Sequence, residues 1–326
     1  MRAVLCKEFG SHKDLVVDDV PPLPDPGPGQ VKIAVAAAGL NFADLLMVGG
    51  RYQEKPALPF SPGLEAAGRV IACGPGVTRV APGDRVLALL DHGAFAEQAL
   101  ARETDLHKLP ADMDDPTAAG FAIAYGTAHG ALRWRAELQP GETVLILGAA
   151  GGVGTAAIQI AKAAGARVIA AASSDEKCAR CREIGADATI NYATGSLRDE
   201  IKALTDGKGP DIIYDPVGGD LAEAAFRSIG WRGRYLVVGF AQGSIPALPL
   251  NLALLKGASL VGVFWGEFAK REPKRNAAMM MALAQWYAAG KIRPVIDQVL
   301  PMEQLPQAFA RMASRQVVGK LVVVNG

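Results

Sequence analysis

The chain of 326 residues lacks most features of secreted, membrane-bound or nucleic-acid-binding proteins. Its four cysteines are too few for the disulfide framework of a secreted domain, and this favours a reducing compartment. No apolar run approaches the roughly 18 residues of a membrane span, and the N-terminal residues do not resemble a signal peptide. With 34 basic and 33 acidic side chains, the net charge of +1 argues against nucleic acid or a membrane surface as the main partner. We therefore expect a soluble, cytoplasmic protein that acts on a small molecule.

Metal ligands are also scarce. The four histidines are scattered along the chain. Cys178 and Cys181 have the spacing of a metal or redox pair, but they lie in a helical pattern, Asp175–Ile184, and no second such pair accompanies them. A structural zinc site needs four ligands. The sequence therefore predicts two thiols on one helix and no metal site.

Length and composition indicate two domains, because half of the 326 residues are hydrophobic and can bury a large core. Residues 1 to about 120 contain short apolar or alternating runs typical of strands, such as Val31–Val35, Gly68–Ala72 and Asp84–Leu90. The run Pro21–Gly29 has the composition of a flexible linker between domains. Strand-like segments on both sides favour a rigid loop inside one domain.

The stretch Val144–Gly154 is the strongest local signal in the sequence. Apolar residues are followed by glycines and then by the alanine-rich run Thr155–Ala164, a pattern that predicts a strand, a tight turn and a helix. A helix N-terminus after such a turn presents N–H groups to a pyrophosphate. The dinucleotide fingerprint G-x-G-x-x-G is incomplete, because Ala149 holds its first position and only Gly151 and Gly154 match. Glycine clusters also mark ordinary turns, so the following residues decide between the two interpretations.

A second predicted strand, Arg167–Ser173, completes a βαβ unit of about the expected 30 residues. NAD-binding versions have an acidic residue about 20 positions past the glycines, where it binds the ribose 2′-hydroxyl. This chain has Ser173 and Ser174 there, and Asp175 fits the first turn of a helix capped by Ser174 at least as well. Lys177 is a nearby cation that suits a phosphate. These residues indicate a site for a 2′-phosphate, and therefore NADPH rather than NADH.

Beyond residue 120, predicted strands alternate with helices, which indicates an α/β fold with a six-stranded, doubly wound parallel sheet. The six strands are Val144–Leu147, Arg167–Ser173, Ala188–Ile190, Asp211–Asp215, Arg234–Gly239 and Ser259–Phe264. After a helix over Ala277–Ala289, the segments Val295–Leu300 and Lys320–Val324 resemble the β-rich first part again. We predict a nucleotide-binding domain over residues 121–265 and a second domain made of residues 1–120 and 266–326.

Six motifs resemble the zinc-free quinone oxidoreductases, the zeta-crystallin group of the medium-chain dehydrogenase/reductase superfamily, and the similarity runs nearly from end to end. These motifs are Ala38–Asp44, Pro62–Val70, Ala149–Gly154, Ile190–Tyr192, Tyr214–Gly219 and Gly319–Val322. The resemblance implies a GroES-like β-domain interrupted by a Rossmann domain that binds NADPH. It also implies a homodimer joined through the apolar edge strand at Ser259–Trp265.

Zinc-dependent alcohol dehydrogenases of the same superfamily have a cysteine ligand near the position of Asn41 and a histidine at that of Leu64. Neither asparagine nor leucine supplies such a ligand, so Lewis-acid chemistry on an alcohol is not expected. The substrate must then accept hydride through its own electronics. Quinones and α,β-unsaturated carbonyls do so, because conjugation places the charge on an oxygen that a hydrogen-bond donor can stabilise or protonate.

The resemblance also implies roles for three residues. It makes Tyr52 the proton donor, as suspected in related enoyl reductases, Asn41 a polar contact near nicotinamide and substrate, and Asp44 a partner that orders the loop. Two alternatives stay open: Asp44 caps a short helix only, or Tyr52 only forms a wall of the pocket.

The cofactor-binding residues expected from the fingerprint and the resemblance lie in several segments. Three of these residues, Gly239, Phe240 and Phe264, follow strand ends, where they either contact the ligand or pack at the sheet edge. The expected residues are Asn41, Thr127, Ala150, Gly151, Gly152, Val153, Gly154, Ser173, Ser174, Lys177, Tyr192, Gly239, Phe240, Phe264 and Lys320.

The leading interpretation is an NADPH-dependent quinone reductase. An enone or enoyl-thioester reductase is the close alternative. Zeta-crystallins also serve as lens proteins and RNA binders. In this chain the balanced charge and the lack of a long basic run argue against an RNA-binding surface.

Overall fold

The computed structural model describes residues 1–325 and contains two compact units. The first unit comprises Met1–Ile123 and the chain from Pro294 onward, and the second comprises Ala124–Arg293. The chain therefore returns to its first unit, as the sequence indicates. The return occurs at Pro294, which corrects the predicted boundary at residue 266.

Up to residue 119 the chain is mostly β-structure, because short apolar runs alternate with Pro and Gly turns. Short 3-10 turns lie at His12–Asp14 and Glu103–Asp105. The elements are β1 Arg2–Leu5, β2 Val16–Asp19, β3 Gln30–Leu40, α1 Phe42–Val48, β4 Glu65–Cys73, β5 Arg85–Leu89, β6 Gln98–Arg102, β7 Leu106–Lys108 and α2 Asp115–Ala119.

The middle of the chain alternates strands and helices. It begins with α3 Ala122–His129, which continues as a π-helical segment over Gly130–Arg135. The elements that follow are β8 Thr143–Ile146, α4 Gly152–Ala163, β9 Arg167–Ala172, α5 Asp175–Ile184, β10 Ala188–Asn191, α6 Leu197–Leu204, β11 Ile212–Asp215, α7 Asp220–Ser228, β12 Arg234–Val237, α8 Asn251–Lys256, β13 Ser259–Gly262, α9 Trp265–Arg271 and α10 Pro273–Ala288.

The last segment returns to β-structure. Its elements are β14 Ile296–Pro301, a 3-10 turn at Met302–Gln304, α11 Leu305–Ala313 and β15 Lys320–Val324.

In the first unit, a sheet with the strand order β14-β15-β3-β4-β5-β7 surrounds an apolar core, and β6 also pairs with β3. β14 runs parallel to β15, whereas the other pairs are antiparallel. The run Pro21–Gly29 connects β2 to β3 within this unit, so its interpretation as an internal loop is confirmed. The register places Leu321 of β15 opposite Leu40, at the end of β3.

In the second unit, the strands form one parallel sheet with the order β10-β9-β8-β11-β12-β13. This confirms the predicted six-stranded, doubly wound sheet. The chain order reverses between β8 and β11, and in such folds ligands bind beside the carboxyl ends of the strands at this point.

The helices α9 and α10 stay in the second unit because their aromatic side chains pack there. The Trp265 ring lies against Gly126 so closely that a Cβ on that glycine would be 2.4 Å from it. The rings of Trp134 and Phe268 are 4.5 Å apart, and the Arg275 guanidinium lies 4.9 Å from the Trp134 ring. Among residues 1–325, no helix combines the length and the apolar character of a membrane span.

Candidate functional site

The glycine-rich turn lies between β8 and α4. Gly151 is the N-cap of α4, and the Thr155 N–H donates to the Gly151 carbonyl over 2.8 Å. The preceding N–H groups, those of Gly152, Val153 and Gly154, have no acceptor inside the helix. Together with the positive end of the helix dipole, they form a site that suits a pyrophosphate.

Two glycines are required by the geometry of this turn. Gly148 has φ +57°, and a Cβ on it would lie 2.6 Å from Cγ2 of Val217. A Cβ on Gly154 would lie 2.5 Å from the Gly148 carbonyl oxygen. Gly148 therefore makes the tight turn that Ala149 cannot make in the fingerprint, and Gly154 lets the helix approach the turn closely. Gly151 has only one ordinary contact, at 3.4 Å, so its missing side chain leaves room for a ligand.

The end of β9 carries the predicted site for a 2′-phosphate. Ser174 caps α5 by accepting from the Lys177 N–H over 3.2 Å, so Asp175 lies in the first turn of that helix. The Asp175 carboxylate accepts from Asn191 over 2.8 Å. The Lys177 ammonium donates to the Ser173 hydroxyl over 3.3 Å. The local structure thus provides two hydroxyls and an ammonium, which suit a phosphate.

Tyr192 lies beside this group. It directly follows β10, and its N–H donates to the Ala172 carbonyl at the end of β9 over 3.1 Å. The structure therefore brings Tyr192, Ser173, Ser174 and Lys177 to one corner of the sheet edge.

Gly239, Phe240 and Phe264 follow the carboxyl ends of β12 and β13, at the same edge of the sheet. Phe264 is 51% exposed, whereas Phe240 is half-buried against Gly218, where a Cβ would lie 2.9 Å from its ring. Phe264 thus has free ring surface, and Phe240 also has a packing role.

Asp215 is a structural residue that the sequence reasoning did not single out. It ends β11, is buried, and accepts from the N–H groups of Val217 and Gly218 over 2.8 and 2.9 Å. Its other oxygen accepts from the Tyr235 hydroxyl. Asp215 therefore fixes the loop at the strand end. The motif Tyr214–Gly219 contains Asp215, and its Asp-Pro step after an apolar strand is a local signal for a turn.

Thr127 and Ala150 lie in two segments joined through α4. Thr127 is half-buried on α3, and Ala150 is buried in the glycine-rich turn before α4. The Tyr125 hydroxyl donates to Gln159 of α4 over 3.0 Å. This bond ties the helix that carries Thr127 to the helix that begins at the turn.

A buried polar cluster in the first unit contains the predicted Asn41 and Lys320. The Lys320 ammonium donates to the Leu40 carbonyl over 2.9 Å, to Asn41 Oδ1 over 2.6 Å and to Glu65 Oε1 over 2.8 Å. Asn41 Nδ2 donates to the Gly39 carbonyl over 3.2 Å and to Glu65 Oε1 over 3.0 Å. All three N–H bonds of Lys320 are thus directed to protein acceptors. Its assignment as a cofactor contact stays a prediction, and such a contact would have to replace one of these bonds.

Glu65 joins this cluster although the sequence reasoning gave it no role. Its side chain is fully buried, and its second oxygen accepts from the Ile123 N–H over 2.9 Å. A buried glutamate needs such partners, because an unpaired carboxylate in a protein interior is costly.

Asp44 lies beneath the same cluster, fully buried in α1. Its Oδ2 accepts from the Asn41 backbone N–H over 2.7 Å, which is the contact of a capping box at the start of α1. A role of Asp44 beyond this helix cap stays a prediction. Burial raises the pKa of Asp44 to about 7, although this N–H and the Lys320 charge oppose the rise. Asp44 therefore keeps its proton at pH values where an exposed aspartate has lost it.

Tyr52 belongs to the same unit but lies past the opposite end of α1. Its N–H donates to the Leu46 carbonyl over 3.2 Å, and its ring is half-buried against the core of this unit. Asn41 and Asp44 are at the N-terminal end of α1. The structure thus brings Asn41 and Asp44 into direct contact, while the role of Tyr52 as proton donor stays a prediction.

In the part of the chain that the structure describes, the cysteines and acidic groups do not assemble a metal site. In residues 1–325, no three His, Cys, Asp or Glu side chains are arranged to hold a metal ion. Cys178 and Cys181 are both buried in α5, and burial raises the pKa of Cys181 to about 12. These thiols pack as apolar groups.

Comparison with known proteins gives two family matches. Residues 27–111 match the alcohol dehydrogenase GroES-like domain, and residues 152–284 match the zinc-binding dehydrogenase family. The first match lies in the first unit, and the second match lies in the second unit, Ala124–Arg293.

Individual relatives are similar over almost the whole chain. The quinone oxidoreductase-like protein 2 homolog of Nematostella vectensis is 41% identical over 99% of this chain and 88% of its own. The Escherichia coli quinone oxidoreductase, solved in complex with NADPH, has a TM-score of 0.94 at 27% identity and covers 99% of this chain and 100% of its own. The CurK enoyl reductase has a TM-score of 0.90 at 28% identity, with coverage of 100% and 99%.

Proposed function

This chain is an oxidoreductase that belongs to the quinone oxidoreductase family of the medium-chain dehydrogenase/reductase superfamily, and we propose that it reduces a quinone with NADPH. The observation that carries the choice of cofactor is the corner formed by Ser173, Ser174 and Lys177. These side chains supply hydrogen bonds and a positive charge, but no acid for a free 2′-hydroxyl.

The residues present fit the rest of this cofactor. The N–H groups of Gly152, Val153 and Gly154 would hold the pyrophosphate, and the absent side chain of Gly151 allows close approach. When bound, NADPH supplies the hydride.

The substrate class follows from the residues where related enzymes bind zinc. Leu64 has no ligand atom, and Asn41 is bonded to Glu65 and Lys320. A substrate that holds negative charge on its own conjugated oxygen needs only a hydrogen-bond donor or acid, and we assign this role to Tyr52.

An enone or an enoyl thioester is the alternative substrate. The similarity to the CurK enoyl reductase supports it, and a tyrosine acid would be of more use there. The deciding experiment is a panel assay that measures NADPH consumption with quinones, enones and enoyl-CoA esters under identical conditions. We expect the highest kcat/KM with a quinone. A higher kcat/KM for an enoyl-CoA ester would contradict the quinone proposal and make an enoyl thioester the substrate class.

Replacing Lys177 by alanine should weaken NADPH binding about tenfold or more and leave NADH binding nearly unchanged. The charged bond to the phosphate is typically worth about 1–3 kcal/mol. The measurement is the dissociation constant of each cofactor for wild type, Lys177→Ala and Lys202→Ala, an exposed lysine of α6 that serves as the control. Equal affinities of the wild type for NADPH and NADH would contradict the assignment.

Purified protein should contain no stoichiometric zinc, and a chelator should leave its activity unchanged. Leu64 and Asn41 provide no ligands, and the two cysteines of α5 are half of a structural site at most. Elemental analysis of protein purified without added metal tests this. One zinc per chain, lost together with activity on dialysis against chelator, would show the prediction to be wrong.

We also propose that the protein is a homodimer joined along β13. Among the described residues, β13 pairs with β12 on one side only, and Leu260 on it is 39% exposed. An apolar strand with an open edge favours pairing with a second copy about a two-fold axis. Leu254 of the preceding helix α8 is 80% exposed and extends the apolar surface.

A charged residue at Val261 or Val263 should therefore loosen the dimer. We expect sedimentation at micromolar concentration to show a dimer for the wild type and more monomer for Val261→Asp. The control is Lys202→Asp on α6, which packs beside β10 at the other edge of the sheet. A wild-type monomer under these conditions would refute the proposal.

A further inference from the structure

An acidic side chain lies directly beside the corner formed by Ser173, Ser174 and Lys177. Asp175 is the first residue of α5, it is exposed, and its carboxylate accepts from Asn191 Nδ2 over 2.8 Å. In nucleotide-binding folds of this type, a carboxylate after the second strand binds a free ribose 2′-hydroxyl and so selects NADH. Given the proposed site for NADPH, we infer that Asn191 is a specificity-determining residue that holds Asp175 away from this role.

The Asn191 amide is itself fixed by the turn after β10. Its Oδ1 accepts from the Ala193 N–H over 3.1 Å, and the Asn191 carbonyl accepts from the N–H groups of Thr194 and Gly195 over 3.3 and 3.2 Å. Because the amide oxygen faces a backbone donor, Nδ2 is the atom that faces Asp175. Turning the amide over would set its oxygen against the carboxylate. The turn therefore presents one well-oriented donor to Asp175.

The strand order gives the direction in which Asp175 is held. β10, which ends at Asn191, lies on the outer side of β9, whereas β8 and its glycine-rich turn lie on the inner side. A ribose joined to a pyrophosphate at that turn approaches the end of β9 from the inner side. The bond to Asn191 thus draws the Asp175 carboxylate toward the outer edge of the sheet. The Ser173 hydroxyl and the Lys177 ammonium, which are bonded to each other, then meet the 2′-phosphate.

Release of the carboxylate would affect the two cofactors in opposite directions. A free Asp175 accepts from the 2′-hydroxyl of NADH, which is a charge-assisted bond, but it repels the 2′-phosphate of NADPH. Ser173 and Asp175 are exposed, so solvent weakens each effect compared with a protein interior. We expect the two effects together to change the ratio of the dissociation constants about tenfold.

The experiment measures the dissociation constants of NADPH and NADH by titration calorimetry. Asn191→Leu keeps the approximate size of the side chain and removes the donor. The ratio of the NADH constant to the NADPH constant should fall about tenfold in this variant. In an Asp175→Asn background the same change should leave the ratio unaltered, because no carboxylate is left to release. A purely structural role of Asn191 would weaken both cofactors alike, and the ratio would not move.

Glu176→Gln provides the matched control background. Glu176 is also exposed in the first turn of α5, so this change removes one negative charge from the same helix end and spares the bond between Asn191 and Asp175. Asn191→Leu should still lower the ratio in this background. A second variant, Asn191→Ser, keeps an oxygen for the Ala193 N–H but is too short to reach Asp175. It should lower the ratio as Asn191→Leu does, and it preserves the turn.

The outcomes separate this role of Asn191 from the proposed cofactor site. If the wild type prefers NADPH and the ratio is unchanged in Asn191→Leu and Asn191→Ser, the inference is overturned and the site stands. The same holds if the ratio falls equally with and without the Asp175 carboxylate. Equal affinities of the wild type for NADPH and NADH would remove the site, and the role of Asn191 with it. Binding and not turnover is measured, so the identity of the substrate does not affect the result.

Discussion

Replacing Tyr52 by phenylalanine should lower kcat for an enone by about 10²–10⁴-fold, the usual contribution of a positioned acid. When the enone has accepted hydride, negative charge rests on its oxygen, and one carbon still needs a proton. A tyrosine hydroxyl within hydrogen-bond reach stabilises that charge or gives up its proton. Cofactor affinity should hold, because the substitution removes only the hydroxyl.

The same substitution should cost much less with a quinone. A reduced quinone is a phenolate, which takes protons from water without help, so only the stabilisation of the charge is lost. The ratio of the two effects therefore distinguishes the quinone proposal from the enone alternative.

The measurement is kcat and KM for wild type and Tyr52→Phe with one quinone and one enone. Tyr214→Phe is the matched control: it removes the same hydroxyl from a buried tyrosine of β11 that has no hydrogen-bond partner in the described residues. An unchanged kcat for every acceptor would leave Tyr52 as a wall of the pocket only.

The second large effect concerns Asp44 and the dependence of stability on pH. The pKa of this carboxyl is about 7 in the folded protein, against an ordinary value of 3.8. Between these values the folded state holds a proton that the unfolded state has lost, so the free energy of unfolding falls as pH rises through this window. The full difference corresponds to roughly 4 kcal/mol, an upper bound that is complete above pH 7.

The variant Asp44→Asn should therefore be more stable than the wild type at pH 8 and should gain little at pH 4. Asparagine keeps an oxygen that accepts from the Asn41 N–H but carries no charge to bury. Thermal midpoints at pH 4, 6 and 8 measure this, with Asp112→Asn in an exposed turn as the control. If the thermal midpoints of wild type and Asp44→Asn changed with pH in the same way, the buried Asp44 carboxyl would not be the cause of the loss of stability at high pH.

Local features of the sequence determined much of the nucleotide-binding unit. The apolar runs predicted the six parallel strands, and Ser174 predicted the start of α5, because a strand or a helix cap depends on neighbouring residues. The glycine fingerprint predicted the position of the turn. It did not show that Gly148 replaces Ala149 as the turn residue, which depends on the contact with Val217 in another loop.

Other features depend on contacts that no local pattern contains. Residues 266–293 stay in the second unit because Trp265 and Phe268 pack on the segment from Gly126 to Trp134, and a helical pattern does not say which core its apolar side will meet. Glu65 and Lys320 are 255 residues apart in sequence. Sequence resemblance identified Asn41, but only the tertiary structure set its hydrogen-bonding direction, because the charges that orient its amide come from two distant strands.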